Sequence, residues 1–259
     1  MNLKQTAKNF GFRTLRLAGA LVLIYISMVF YLALTERQNA YPRAITHKEA
    51  QAAIKNTARP LSCSLEDGIV LGGWAVGDPQ APTLLYYPDA NEDAAQFLAE
   101  VQGIPGIDIV TFNYRGSADN KGTPSTENFE PDARQIAECA RQVNGEKPSV
   151  LAGRGTGAIL ASEQFDGNQK LILIDPAMSI ADAISEKYRF LYPKFLIRAK
   201  EKIPTDRLQA QPSKVFLLKD SQISCDRNHK AERDLYQIHV ENRENSTLQN
   251  LIKKILQHP

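Results

Sequence analysis

Apolar positions along this chain fall into three patterns. The first is a block from Leu17 to Leu34 with no charged residue. It runs to about 18 residues, long enough to cross a bilayer core as a helix. The second is a set of short apolar runs suited to strands buried on both faces. They are Thr83–Tyr87, Ile107–Phe112, Ser149–Ala152, Leu171–Ile174 and Lys214–Leu218. Leu61–Leu65 and Ile69–Val76 precede them, joined by Glu66-Asp67-Gly68, an acidic turn ending in glycine and the mark of a hairpin. The third pattern is helical spacing: Phe97, Leu98 and Val101; Ala133, Ile136, Ala137, Ala140 and Val143 behind an opening Pro131; and Leu248, Leu251, Ile252, Ile255 and Leu256 behind a capping Ser246. Strands alternating with helices predict an α/β architecture, a mainly parallel sheet with helices on both faces and an antiparallel hairpin at one edge. Between Asp175 and Pro212 the rhythm breaks around Tyr188, Phe190, Tyr192 and Phe195, which predicts a small cap over the carboxyl ends of the strands.

Charge orients the first block. Lys4, Lys8, Arg13 and Arg16 precede it, whereas Glu36 and Arg37 balance each other after it. The positive-inside rule then leaves residues 1–16 as a cytoplasmic tail, 17–34 as one transmembrane helix, and the rest extracytoplasmic, periplasmic or extracellular. A cleaved signal peptide is the competing reading; the long apolar run and the lack of a small-x-small site favour a retained anchor. Tyr25 and Tyr31 fall in the span. Residues 35–60 are polar and mixed and read as a stalk to a domain at 61–259, with Thr46 and Glu49 as a short helix start and His47 as a solvated side chain.

Composition removes several classes. The net charge of +2 gives no case for nucleic acid. Cys63, Cys139 and Cys225 are too few and scattered for a disulfide framework or a metal cluster. Cys139 reads as a small apolar residue on a helix, and Cys63 and Cys225 belong to distant parts of the sheet. No cofactor or metal is implied.

The chemistry centres on Gly153-Arg154-Gly155-Thr156-Gly157, where an apolar strand meets an apolar helix start. This is the layout of a nucleophile elbow, G-x-S-x-G, with glycine at the apex in place of the nucleophile. Upstream lies Asn113-Tyr114-Arg115-Gly116, followed by Gly122-Thr123-Pro124-Ser125. Together these segments resemble the α/β-hydrolase superfamily, in its serine-aminopeptidase-like and thioesterase-like branch, over residues 61 to 259. The resemblance implies a serine at the elbow, a His-Gly oxyanion loop, an acid and a histidine. This chain departs at each. The serine position is Gly155. The His-Gly pair corresponds to Pro88 and Asp89, a residue without an N–H and a carboxylate that would oppose an oxyanion. The acid position falls at Ile223, although Asp220 and Asp226 lie close. The histidine position falls around Arg243, in a stretch with no histidine.

Other residues offer weak substitutes. Thr156 would act through its backbone N–H, and its hydroxyl points away from the usual base. Ser117, Asn120 and Ser125 suit turns. Asp175 ends a strand and reads as a turn residue before it reads as an acid. His239 falls short of the family's histidine, and Cys225 with Asp226 and His229 is a weak thiol or metal pattern. Gly155 to Gly157 still open a helix whose free N–H groups attract anions, and Arg154 adjoins them, so a carboxylate or phosphate group is a conceivable ligand at Arg154, Gly155 and Thr156. The spacing is not that of a phosphate loop. The favoured reading is a membrane-anchored, catalytically inactive hydrolase-like protein that binds a protein partner or a small anionic ligand. The alternative is an active esterase, thioesterase or peptidase with rearranged residues. A structural part in an envelope assembly is a third reading.

Overall fold

The computed structural model describes residues 3–41, 43–101, 104–219, 239–242 and 247–257. The chain opens with helix α1 (Leu3–Leu34), followed by the short α2 (Glu36–Ala40) and α3 (Lys48–Ile54). Strands β1 (Arg59–Ser64), β2 (Val70–Gly77) and β3 (Thr83–Tyr87) come next, then α4 (Ala94–Val101), β4 (Asp108–Phe112), α5 (Thr126–Asn144), β5 (Val150–Arg154), α6 (Gly157–Gln164) and β6 (Lys170–Ile174). After α7 (Ile180–Tyr188) and α8 (Thr205–Gln209) come β7 (Val215–Lys219), β8 (His239–Asn242) and α9 (Leu248–Gln257).

The eight strands form one sheet in the order β1-β2-β4-β3-β5-β6-β7-β8, in which β2 runs antiparallel to both β1 and β4 and the other pairings are parallel. Alternation along each strand sorts side chains onto two faces. Leu85, Tyr87, Leu151, Leu171 and Leu173 pack with the apolar sides of α5, α6 and α7. Leu84, Tyr86, Ala152, Ile172 and Ile174 pack with α3, α4 and α9. The interior strands β3 and β4 are buried along their whole length, as their unbroken apolar runs require.

Three local expectations change. Helix α5 starts at Thr126, not at Pro131, because Ser125 and Asn128 close a capping box there. His47, though exposed, caps α3 by accepting the Ala50 N–H on Nδ1 at 3.1 Å, the job assigned to Thr46. Strand β8 was hidden in a stretch without a clear apolar run. The proposed cap at Ser246 lies outside the described residues.

Residues 35–60 do not form a free stalk. Glu36 is 7% exposed and accepts hydrogen bonds from the Tyr192 hydroxyl (2.9 Å) and from the Arg198 (2.5 Å) and Ala199 (3.1 Å) amides. Tyr188 donates to Asn39, and Tyr41 to Glu201 (2.5 Å). At α3, buried Asp93 accepts from the His47 amide (2.8 Å) and Gln51 (3.1 Å). Polar composition suggested solvent; the polar groups are instead spent on fastening α2 and α3 to the domain.

The cysteines also differ from expectation. Cys63 on β1 and Cys139 on α5 form a disulfide, with Cα atoms 5.6 Å apart and 76 residues between them in sequence. Cys139 is therefore not a simple apolar core residue. The helix crossing behind the opening hairpin brings together two cysteines that spacing alone kept apart.

Candidate functional site

At the carboxyl end of β5 the chain turns through Gly155 into α6. Gly155 has φ +54°, in the left-handed region, and its amide donates to the Ile174 carbonyl at 3.1 Å while its carbonyl accepts the Ala177 amide at 2.9 Å. The turn is also tight. A Cβ at Gly157 would lie 2.3 Å from the carbonyl oxygens of Tyr87 and Pro88, so β3 and α6 touch backbone to backbone. This is the geometry the glycine spacing anticipated.

The space at the apex is filled by Asp89. A Cβ at Gly155 would lie 2.2 Å from Asp89 Oδ1 and 2.5 Å from its carboxyl carbon. The same Oδ1 accepts hydrogen bonds from the Thr156 amide (2.8 Å) and from the Thr156 hydroxyl (2.9 Å). The Thr156 hydroxyl in turn accepts the Ala90 amide at 3.1 Å. The loop after β3 thus places a carboxylate over the amino terminus of α6, where the helix dipole and a free N–H hold it. Pro88 contributes its carbonyl, which accepts the Tyr114 hydroxyl at 2.9 Å. The sequence set Asp89 against an oxyanion; the structure seats its carboxylate against Gly155 and on the Thr156 amide.

Arg154 is held away from this point. It pairs with Glu92 (2.6 Å) and Glu100 (2.7 Å), and its guanidinium stands 5.9 Å over the Phe97 ring, which stacks on Tyr86 at 3.5 Å. Glu92 is 8% exposed and also accepts from the Tyr86 hydroxyl (2.6 Å) and the Asp89 amide (3.0 Å). Burial pushes the Glu92 carboxyl above the ordinary range, against the pull of Arg154. The charge expected to help bind an anion is therefore spent on a part-buried ion pair that props the loop carrying Asp89. Nothing in the sequence spacing joined Glu92 to Arg154; the pairing of β3 with β5 brings the loop after β3 to it.

The upstream loop is structural as well. Arg115 pairs with Asp132 and with Asp67 (2.8 Å), and the Asn120 side chain bridges the Gly72 amide (2.8 Å) and the Asn113 carbonyl (2.7 Å). Ser117 accepts the Ala44 amide at 3.1 Å. Asp175 directly follows β6 with φ +42°, unusual for a residue with a side chain, and its amide donates to the Leu218 carbonyl at 2.8 Å. His239 opens β8 at the register position of Phe216, which pairs with Ile172 and through it with Ala152. That puts its backbone three strands from β5, about 14 Å at the usual strand spacing. It does not lie beyond the strand ends where Gly155 is. Ile223, Cys225 and Arg243 lie outside the described residues, as do Asp220, Asp226 and His229.

Beside Gly155 a cleft of about 400 Å³ opens between α2, the loop after β3 and α7. Asn39, Asp89, Thr156, Ile180, Ile184 and Lys187 are among its walls. The expected cap is present as α7 and the segment after it, with α2 as an unforeseen second wall.

No protein-family model matches the sequence. The chain is 23% identical over 189 residues to the uncharacterized protein Rv2307c of Mycobacterium tuberculosis, a match covering 69% of this chain and 67% of that one. Its structure resembles an alpha-beta hydrolase from Vibrio vulnificus, with a TM-score of 0.65 at 16% identity over 87% of this chain and 90% of that chain. It also resembles the Pyrococcus furiosus esterase Pf2001, with a TM-score of 0.59 at 13% identity over 83% and 95% of the two chains. A proline iminopeptidase-related protein of Thermus thermophilus gives a TM-score of 0.56 at 15% identity over 77% and 97%. The chain has the α/β-hydrolase fold. It also carries an apolar helical segment, Phe12–Leu34, with a mean hydropathy of 2.4, long and apolar enough to cross a membrane.

Proposed function

We propose that this chain is a membrane-anchored α/β-hydrolase-fold protein whose elbow has been converted from a catalytic to a structural turn, and that its domain serves as an extracytoplasmic binding or scaffold module. The observation that carries the reading is the Asp89 carboxylate against Gly155 and Thr156. A serine at the apex would collide with it. A developing oxyanion would have to displace an anion from the Thr156 amide, at an electrostatic cost where catalysis needs a gain. Among the described residues, the turn offers no nucleophilic side chain at position 155, its Thr156 amide is already taken by Asp89, and no histidine lines the cleft.

Two features support the location. The basic residues stand before the apolar helix, and the Cys63–Cys139 disulfide suits an oxidising compartment beyond the membrane. The cleft beside Asp89 is the natural binding surface. Its carboxylate makes it a poorer site for a small anion than the free helix end suggested by sequence.

The test is activity-based. The full chain, purified in detergent, is treated with a fluorophosphonate probe and assayed on short-chain ester and thioester substrates. No covalent adduct and no turnover above a contaminant control is the expected result. Stoichiometric labelling at Thr156, or at any residue lining the cleft, would overturn it in favour of a rearranged hydrolase.

A further inference from the structure

The segment after α7 carries side chains that a water-facing cap has no reason to expose. Phe190 is 78% exposed, Phe195 85% and Leu196 38%. Arg189 has φ +49°, so the chain leaves α7 abruptly and projects Phe190 outward. Between Lys187 and Lys202 the sequence holds six basic residues (Lys187, Arg189, Lys194, Arg198, Lys200, Lys202) against one acid, Glu201, which accepts the Tyr41 hydroxyl. Lys194 reaches Asp182 and Arg198 lies near the buried Glu36, and both cations are themselves exposed, so they remain able to meet other anions.

This segment is continuous with the apolar helix. The Tyr25 hydroxyl on α1 donates to the Phe190 carbonyl at 3.2 Å, and Met28, Val29 and Ala33 pack against the domain core. Tyr25 stands nine residues before the end of α1, about 14 Å down its axis. A loop that meets a membrane-crossing helix at that depth lies inside the outer half of the bilayer. Its backbone is prepared for such a place. The Phe190 carbonyl is satisfied by Tyr25, the Leu196 amide by Pro193 (2.9 Å) and the Ile197 amide by Lys194 (3.1 Å).

We infer that Arg189–Leu196 is a second membrane contact, with Phe190, Phe195 and Leu196 among the acyl chains of the outer leaflet and the flanking cations at the phosphates of anionic phospholipid. Long basic side chains reach headgroups while their stems stay in apolar surroundings. Such a seat holds the cleft at a fixed height over the bilayer. The inference rests on the anchoring of α1 proposed above.

The full chain is reconstituted in vesicles of phosphatidylcholine and phosphatidylglycerol, with single-tryptophan probes F190W and F195W in a Trp74→Phe background. Probe I26W in α1 is the control, and an intact Cys63–Cys139 bond in each variant is the check of folding. Lipids brominated along their acyl chains are expected to quench F190W and F195W about twofold, while aqueous iodide leaves them unchanged. Replacing phosphatidylglycerol with phosphatidylcholine lowers the quenching. Brominated lipid that quenches I26W but neither cap probe overturns the seat and leaves the anchor standing, whether the cap probes meet iodide or are shielded by a second copy or a partner protein. If I26W also escapes brominated lipid, the anchor fails and the seat fails with it.

Discussion

The carboxylate of Asp89 and the amide of Thr156, 67 residues apart in sequence, are 2.8 Å apart in space, with the Thr156 hydroxyl 2.9 Å from the same oxygen. The amino terminus of a helix attracts anions through its dipole and unpaired N–H groups. Here it holds an internal anion, and the glycine beside it leaves room for that anion. Asp89 and Gly155 are thus one arrangement.

Placing a serine at the apex should therefore not create a site. Gly155→Ser forces a side chain into Asp89 at a residue with φ +54°, and is expected to cost about 1–3 kcal/mol without fluorophosphonate labelling. Adding Asp89→Ala removes the collision and recovers part of the loss, again without labelling. Urea unfolding of the four proteins, wild type included, measures the coupling, which two independent sites would not show.

Breaking the disulfide tests the fold's dependence on its compartment. Cys63→Ser or Cys139→Ser is expected to lower stability by about 2–5 kcal/mol. Without reduction, unfolded wild type should take up one maleimide, at Cys225, and three after reduction. Three without reduction would show that the bond does not form.

Arg154 is expected to matter for stability more than for binding. Arg154→Met leaves Glu92, 8% exposed, without its cation and should cost about 3 kcal/mol. The double variant with Glu92→Gln should recover much of this. Thermal unfolding of the single and double variants provides the comparison.

Tyr192 gives an alkaline signature. Burial, then its hydrogen bond to Glu36, pushes its hydroxyl up from 10.0 to about 12. An acid with a raised folded pKa contributes stability that is fully present below its unfolded value and lost as pH rises through the folded one. Wild type is thus expected to lose stability between about pH 10 and 12 more steeply than Tyr192→Phe. At pH 8 the variant should be weaker by about 1 kcal/mol for the lost hydrogen bond. Parallel urea titrations at each pH supply the difference; equal slopes would remove the assignment.

Much of the fold was legible because its signals are local. Thr83–Tyr87 matches β3 residue for residue, and the elbow follows from three glycines between a strand and a helix. Strand β8 escaped because its short stretch has no apolar periodicity of its own and is a strand only by pairing with β7. Residues 35–60 differ from a free stalk for a related reason. Glu36, Asn39 and Tyr41 look like solvent residues until α7 and the segment after it supply their partners.

The sequence by itself determined the alternation of strands and helices, the apolar N-terminal block with its cations on one side, and the absence of a nucleophile at position 155. Those rest on side-chain type and spacing within about twenty residues, and need no knowledge of distant contacts. Tertiary structure decided what fills the space at Gly155. Asp89 could be read as a carboxylate in a loop, but its seat on α6 depends on β3 lying beside β5. The same holds for Cys63 with Cys139 and for Arg154 with Glu92. Each is a pairing across the sheet or its flanking helices, and its partner is chosen by strand order rather than by distance along the chain.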